Sequence, residues 1–221
     1  MKLLFQAIFK FILGVLMIVV LLFLPAGTVN YWNAWLLMGL LFIPMFIAGV
    51  ILWIKNPNLL RKRLNVKEKE SEQKRVIGMS LIIFVLGFII AGLDFRNGWS
   101  NMPIWGVVVA SIIFIISYIL YAEVLRENTY LSRTIEVQEN QKVIDTGLYG
   151  IVRHPMYFAT TILFLSFPIV LGSWSSFAIF CFFPFVLVKR IKNEEKVLEN
   201  GLEGYREYKQ KVKYIMIPFV W

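Results

Sequence analysis

Charged residues divide this chain into long apolar runs. No charge lies between Lys10 and Lys55, and apolar stretches cover about 5–24, 32–54, 76–95, 102–122, 155–171 and 174–189. Each is near the ~20 residues an α-helix needs to cross a ~30 Å hydrocarbon layer. The pattern therefore predicts an all-α integral membrane protein with about six transmembrane helices. The last two runs come from one uncharged stretch, His154 to Val188. As a single helix it would extend about 52 Å and overshoot a bilayer, so it must fold as a hairpin. Gly172 and Ser173 are the turn candidates, and Pro168 and Pro184 should bend or unwind the two halves. The first run resembles a secretory signal in being followed by Pro25, Ala26 and Gly27, but its apolar stretch exceeds a usual signal core and it is read as a span.

Past residue 189 the pattern changes. Leu198, Leu202, Tyr205, Tyr208 and Val212 step by three and four, which predicts an amphipathic helix lying against the bundle or the interface, with Gly201 and Gly204 marking a break. Two regions follow. Residues 1–122 hold four spans and a basic loop at 55–75, and residues 123–221 hold a polar loop, the helical hairpin and the C-terminal helix.

Composition sharpens this picture. Hydrophobic residues make up 58% of the 221 positions and charged residues 17%, against about 45–50% and about 25% in soluble domains. Every one of the 23 basic residues except Arg96 falls at the N-terminus, in the second or fourth loop, or in the C-terminal segment. Six spans place all of these on one face, which the positive-inside rule makes cytoplasmic. The net charge of +9 then reflects orientation and attraction to anionic membrane lipids, not nucleic-acid binding. The single cysteine, Cys181, and single histidine, His154, leave no disulfide and no His/Cys metal site to build.

Opposite the basic face the loops are tiny, so any chemistry belongs to the basic face or the bundle. Pro155 opens an apolar helix with φ preset, making His154 a candidate N-cap. The N–H groups of Met156 and Tyr157 should then offer an anion site at the positive end of the helix dipole. Arg153 and His154 have a blander reading, as side chains snorkelling at a membrane boundary. Arg190 and Glu194 lie four apart on one helix face, where a surface ion pair is the commonest outcome.

The run Gly147-x-Tyr149-x3-Arg153-His154-Pro155-x-Tyr157, an apolar hairpin, and then Arg190-x3-Glu194-Glu195 with Leu198, Tyr205, Tyr208 and Pro218 resembles the isoprenylcysteine carboxyl methyltransferase family and its phospholipid methyltransferase relatives. The resemblance covers about residues 123–221. It implies S-adenosylmethionine as cofactor, bound in a cytoplasmic pocket closed by the C-terminal helix, and a lipidic acceptor arriving from the bilayer. Carried over by position, the cofactor contacts fall on Gln141, Lys142, Val143, Ile144, Tyr149, His154, Pro155, Met156, Tyr157 and Glu194. Gln138 matches a further cofactor-binding glutamine, at a shorter spacing to Tyr149 than is usual. Arg190 matches the arginine that holds the acceptor carboxylate and is the residue expected to carry catalysis. Lys211 and Ile215 stand where relatives often carry arginine.

Methyl transfer to an ionised carboxylate needs no strong base, so Arg190 could act by holding the acceptor in line with the methyl group. The expected activity is carboxyl O-methylation of a prenylcysteine-like or other lipidic acceptor. N-methylation of an ethanolamine headgroup is the alternative and would need a base, with Glu195 or His154 the candidates. An NADPH-dependent reductase of the membrane sterol type, with Lys142 and Lys192 near a 2′-phosphate, and a non-enzymatic membrane protein stand behind these two.

Overall fold

The computed structural model describes residues 2–64, 71–131, 135 and 137–221. Lys67, Lys69 and Arg133, which the charge pattern assigns to the basic face, lie outside the described residues. Among the described residues the regular structure is helical throughout: α1 (Lys2–Ala26), α2 (Trp32–Lys55), α3 (Pro57–Leu64), α4 (Ser71–Asn97), α5 (Ile104–Glu127), α6 (Pro155–Val170), α7 (Trp174–Phe180), α8 (Phe183–Gly201) and α9 (Tyr205–Lys211).

Among the described residues five segments are long and apolar enough to cross a membrane: α1, α2, α4, α5 and the α7–α8 pair from Trp174 to Gly201. Their outward faces carry Phe5, Leu24, Ile104, Trp105, Ile119 and Phe185, all exposed. A soluble helix would present polar residues there. The expected fifth span is shorter than the others. With 16 residues, α6 extends about 24 Å, less than the hydrocarbon thickness. The expected sixth span is two helices, because the chain turns at Cys181 and Phe182 and restarts with Pro184 in the first turn of α8. Pro168 does not unwind α6, which continues through it to Val170.

The hairpin turns where expected. Gly172 has φ +78, a left-handed conformation that glycine adopts without steric cost. Side chains from distant helices satisfy the carbonyls freed at the end of α6. Tyr31 Oη donates to Leu171 O at 2.7 Å and Asn33 Nδ2 to Val170 O at 2.8 Å. Ser173 caps α7 by accepting from Ser176 N, and it donates to the buried Asp94 carboxylate at 2.5 Å. Such bonds matter because lipid tails are as apolar as the helices, leaving packing and interhelical hydrogen bonds to choose partners. The packing is aromatic: Phe84, Phe88, Phe164, Phe167, Phe180 and Phe183 interlock between α4, α6, α7 and α8, with Phe84 edge-on to Phe164 at 4.6 Å.

Contacts at the other end gather the basic segments. Lys10 Nζ donates to Leu64 O at 2.5 Å, Arg63 donates to the Tyr121 hydroxyl, and Lys62 to Gln138 Oε1. The amphipathic pattern after residue 189 is not a separate helix. Its first half continues α8 to Gly201, the chain breaks at Leu202 to Gly204, where Gly204 has φ +79, and α9 follows. Leu202, Tyr205, Tyr208 and Val212 are buried as one cluster, against which Val137, Val143 and Leu198 pack.

Candidate active site

The polar loop is pinned where it leaves α5. Both oxygens of Glu127 accept from Leu148 N, at 3.2 and 3.0 Å. The approach requires glycine before it, since Gly147 has φ +53 and a Cβ there would lie 1.5 Å from Glu127 Oε1. The 3₁₀ turn Gly147–Gly150 that follows buries Tyr149. Asn128 Nδ2 donates to the Tyr149 hydroxyl at 3.0 Å, and Tyr208 Oη donates to the Tyr149 carbonyl at 2.7 Å. Burial pushes the Tyr149 pKa well above its ordinary value, with Glu194 and Glu127 adding to the shift, so the ring stays a neutral phenol.

Arg153 does not snorkel. It and His154 are buried, and their backbone N–H groups donate to Tyr214 O at 2.9 Å and Ile215 O at 2.8 Å. The Arg153 side chain continues the clasp, with Nε to Glu195 Oε1 at 2.7 Å and Nη1 to the Val212 and Lys213 carbonyls at 2.8 and 3.0 Å. Lys209 Nζ closes on Glu195 at 2.9 Å and on Glu199 at 2.6 Å, and these two hydrogen bonds raise its pKa, Glu199 contributing most. His154 Nε2 lies 3.4 Å from Glu195 Oε1 and finds no hydrogen-bond partner among the described residues. One arginine thus ties the start of α6 to α8 and to the segment after α9.

His154 is the N-cap of α6, without a side-chain cap bond, and Pro155 is its first residue. The expected anion site is not fully open, because Tyr157 N donates to His154 O at 3.1 Å. The Tyr157 side chain has a different role. Its hydroxyl donates to Glu194 Oε2 at 2.5 Å and accepts from Arg190 Nε at 2.9 Å. The residues expected to pair on one helix face are therefore joined through a tyrosine from α6. Arg190 Nη1 also donates to Gln73 Oε1 on α4, at 3.2 Å.

These elements enclose one pocket at the basic end. Among the residues expected from the sequence, Gln141, Lys142, Val143, Ile144, Tyr149, His154, Met156, Tyr157, Arg190 and Glu194 line it. Gln138 and Pro155 do not. The Gln138 side chain is taken by Lys62 and by the Tyr130 carbonyl, and Pro155 serves to start the helix. Sequence reasoning missed Asn128, Tyr130, Leu131, Ile135 and Arg153 as lining residues, and read Leu198, Leu202, Tyr205 and Tyr208 as helix packing although they face the pocket too. The spacing of the last four carried the signal, whereas nothing in the sequence marks the residues just after α5. Tyr205 is buried with a hydroxyl that finds no partner among the described residues, an orphan that calls for a ligand or water.

The C-terminal half thus builds a polar pocket at one end of a set of apolar helices long enough to cross a membrane. The phospholipid methyltransferase family model matches residues 102–203 of this chain, in agreement with the resemblance the motifs carry. The match contains Asn128, Tyr149, His154, Tyr157, Arg190 and Glu194, and it stops short of Tyr205 and Tyr208 and of α1 to α4. A search of curated proteins found no match. The family match supports a membrane methyltransferase, for which S-adenosylmethionine is the implied methyl donor.

The pocket's donor set fits that cofactor. It offers the Glu194 carboxylate for a cationic group, the Tyr130, Tyr149 and Tyr157 rings for an adenine face or a sulfonium, and the unpartnered Tyr205 hydroxyl for a polar edge.

Proposed function

We propose that this protein methylates the carboxylate of a lipidic acceptor, prenylcysteine-like or similar, with the pocket on the cytoplasmic face of the membrane. The observation that carries the reading is the chain Arg190–Tyr157–Glu194, which joins the end of an apolar span to the pocket. Arg190 lies two residues past Val188, where the apolar run of α8 ends, so its guanidinium stands at headgroup level. There it can hold a carboxylate while the lipid tail stays in the bilayer. Glu194, one turn further on, faces the cofactor side.

S-adenosylmethionine, when bound, supplies an electrophilic methyl carbon with a neutral thioether as leaving group. The chain's own residues then have three tasks. Arg190 orients the acceptor oxygen, and Tyr157 keeps Arg190 and Glu194 in fixed relation, so the two substrates meet in line. Leu198, Leu202 and the buried tyrosines keep water from competing. No proton has to be removed from a carboxylate. An amine acceptor would need a base, and Glu195, the carboxylate nearest His154, already accepts from Arg153 and Lys209. That favours the carboxylate.

The test is incubation of membranes holding the protein with methyl-labelled cofactor. Label released by mild base is an ester and supports the reading, whereas base-stable label on a headgroup nitrogen would replace it with N-methylation.

A further inference from the structure

Gln73 is buried completely and belongs to none of the residues the family model matches. It is the third residue of α4, 117 positions before its partner Arg190, and its Oε1 accepts from Arg190 Nη1 at 3.2 Å. Its amide nitrogen finds no hydrogen-bond partner among the described residues. The assignment of oxygen and nitrogen is fixed by chemistry, because a guanidinium only donates and the amide must turn its oxygen toward it. The NH₂ group is thereby forced away from Arg190 as a buried donor without an acceptor. Leaving such a donor unmet is unfavourable, and each case in a folded protein needs an explanation.

We propose that Gln73 is part of the acceptor subsite: its Nε2 and the Arg190 guanidinium together bind one oxyanion on the polar end of a lipid. The inference rests on the reading of Arg190 as the acceptor-holding residue. An amide beside a guanidinium offers adjacent donors to an oxygen-rich anion and nothing to an ammonium. A carboxylate or a phosphodiester brings acceptor oxygens and a negative charge to these donors, whereas an ester or an alcohol brings no charge. The subsite is thus shared between α8, inside the matched region, and α4, outside it, and acceptor choice would depend on an N-terminal helix that the cofactor pocket does not use.

The test uses detergent-purified full-length protein and two matched pairs of probes. One is an N-acetylated S-prenylcysteine against its methyl ester, and the other is phosphatidylethanolamine against diacylglycerol in mixed micelles. Wild-type protein is expected to bind the oxyanion member of one pair about tenfold or more tightly than its uncharged partner, and the pair that shows this identifies the anion's source. Gln73→Met, close in shape and without the amide, should lose about tenfold of that preference while S-adenosylmethionine affinity stays within twofold. Gln73→Glu sets a carboxylate against Arg190 and should abolish the preference, which keeps the test decisive if the methionine variant misfolds.

Equal binding of acid and ester by wild type would overturn the inference. So would oxyanion binding unchanged in both variants, or loss of cofactor affinity in step with acceptor affinity. Absence of S-adenosylmethionine binding in wild type, with oxyanion binding still dependent on Gln73, would instead sink the methyltransferase reading and leave the subsite standing.

Discussion

Arg153 donates to Glu195 at 2.7 Å with both side chains buried, and the same guanidinium holds the Val212 and Lys213 carbonyls. This contact joins the loop, the hairpin and the tail that together form the pocket. Removing one member of a buried ion pair costs about 3–5 kcal/mol, because the other charge is left uncompensated. Arg153→Met should therefore lower the thermal stability of the detergent-purified protein severely and abolish cofactor binding with it. Adding Glu195→Met should recover part of the stability, as the stranded carboxylate is gone. A double variant no better than the single one would show that the backbone contacts, not the ion pair, hold the tail.

Tyr157→Phe removes only the hydroxyl between Arg190 and Glu194. The ring stays packed in the core, so stability should change little. Turnover should fall by about ten- to a hundredfold, the range for losing a hydrogen bond to a charged group. Unchanged turnover in a steady-state methyl-transfer assay would make the Arg190–Tyr157–Glu194 chain structural only.

Arg190→Lys separates two views of that residue. A surface ion pair contributes ~0–1 kcal/mol and tolerates lysine. In the structure Arg190 spends separate nitrogens on Tyr157 and Gln73, a geometry one ammonium cannot reproduce. Turnover on the acceptor should fall sharply while S-adenosylmethionine affinity stays near the original. Equal turnover would remove Arg190 from acceptor positioning.

Much of the scaffold was legible because the helices in a membrane must be apolar along their length, and the charges that end them are easy to see. The Gly172 turn and the break before Tyr205 were legible for the same kind of reason, since glycine marks left-handed backbone. The interruption at Cys181 and Phe182 was not, because apolar runs look alike whether one helix or two fill them. The partners of Arg153 were hidden by distance, with Glu195 and Val212 lying 42 and 59 residues away. Gln73 was invisible for the same reason, as a glutamine in a basic loop carries no sign that it will meet Arg190. The motif residues that line the pocket could be named from their resemblance to a family, but the role of Tyr157 as a bridge needed the fold.

The asymmetry of basic residues is the ground for the proposed orientation, with the second loop and the C-terminal segment on the cytoplasmic face. In a background with Cys181→Ser, cysteines placed at Asn58 and Glu203 should react with a membrane-impermeant thiol reagent only from the cytoplasmic side, and one at Asn101 only from the opposite side. Labelling of positions 58 and 203 from different sides would refute the arrangement.

Equilibrium binding of S-adenosylmethionine to the purified protein tests the central claim most directly. The pocket should bind it saturably and in preference to NADPH. Glu194→Ala should weaken binding by about tenfold or more, as expected for a charge-assisted contact, and the exposed Glu203→Ala should leave it unchanged. Absence of saturable binding, a preference for NADPH, or equal affinities in the two variants would contradict the account.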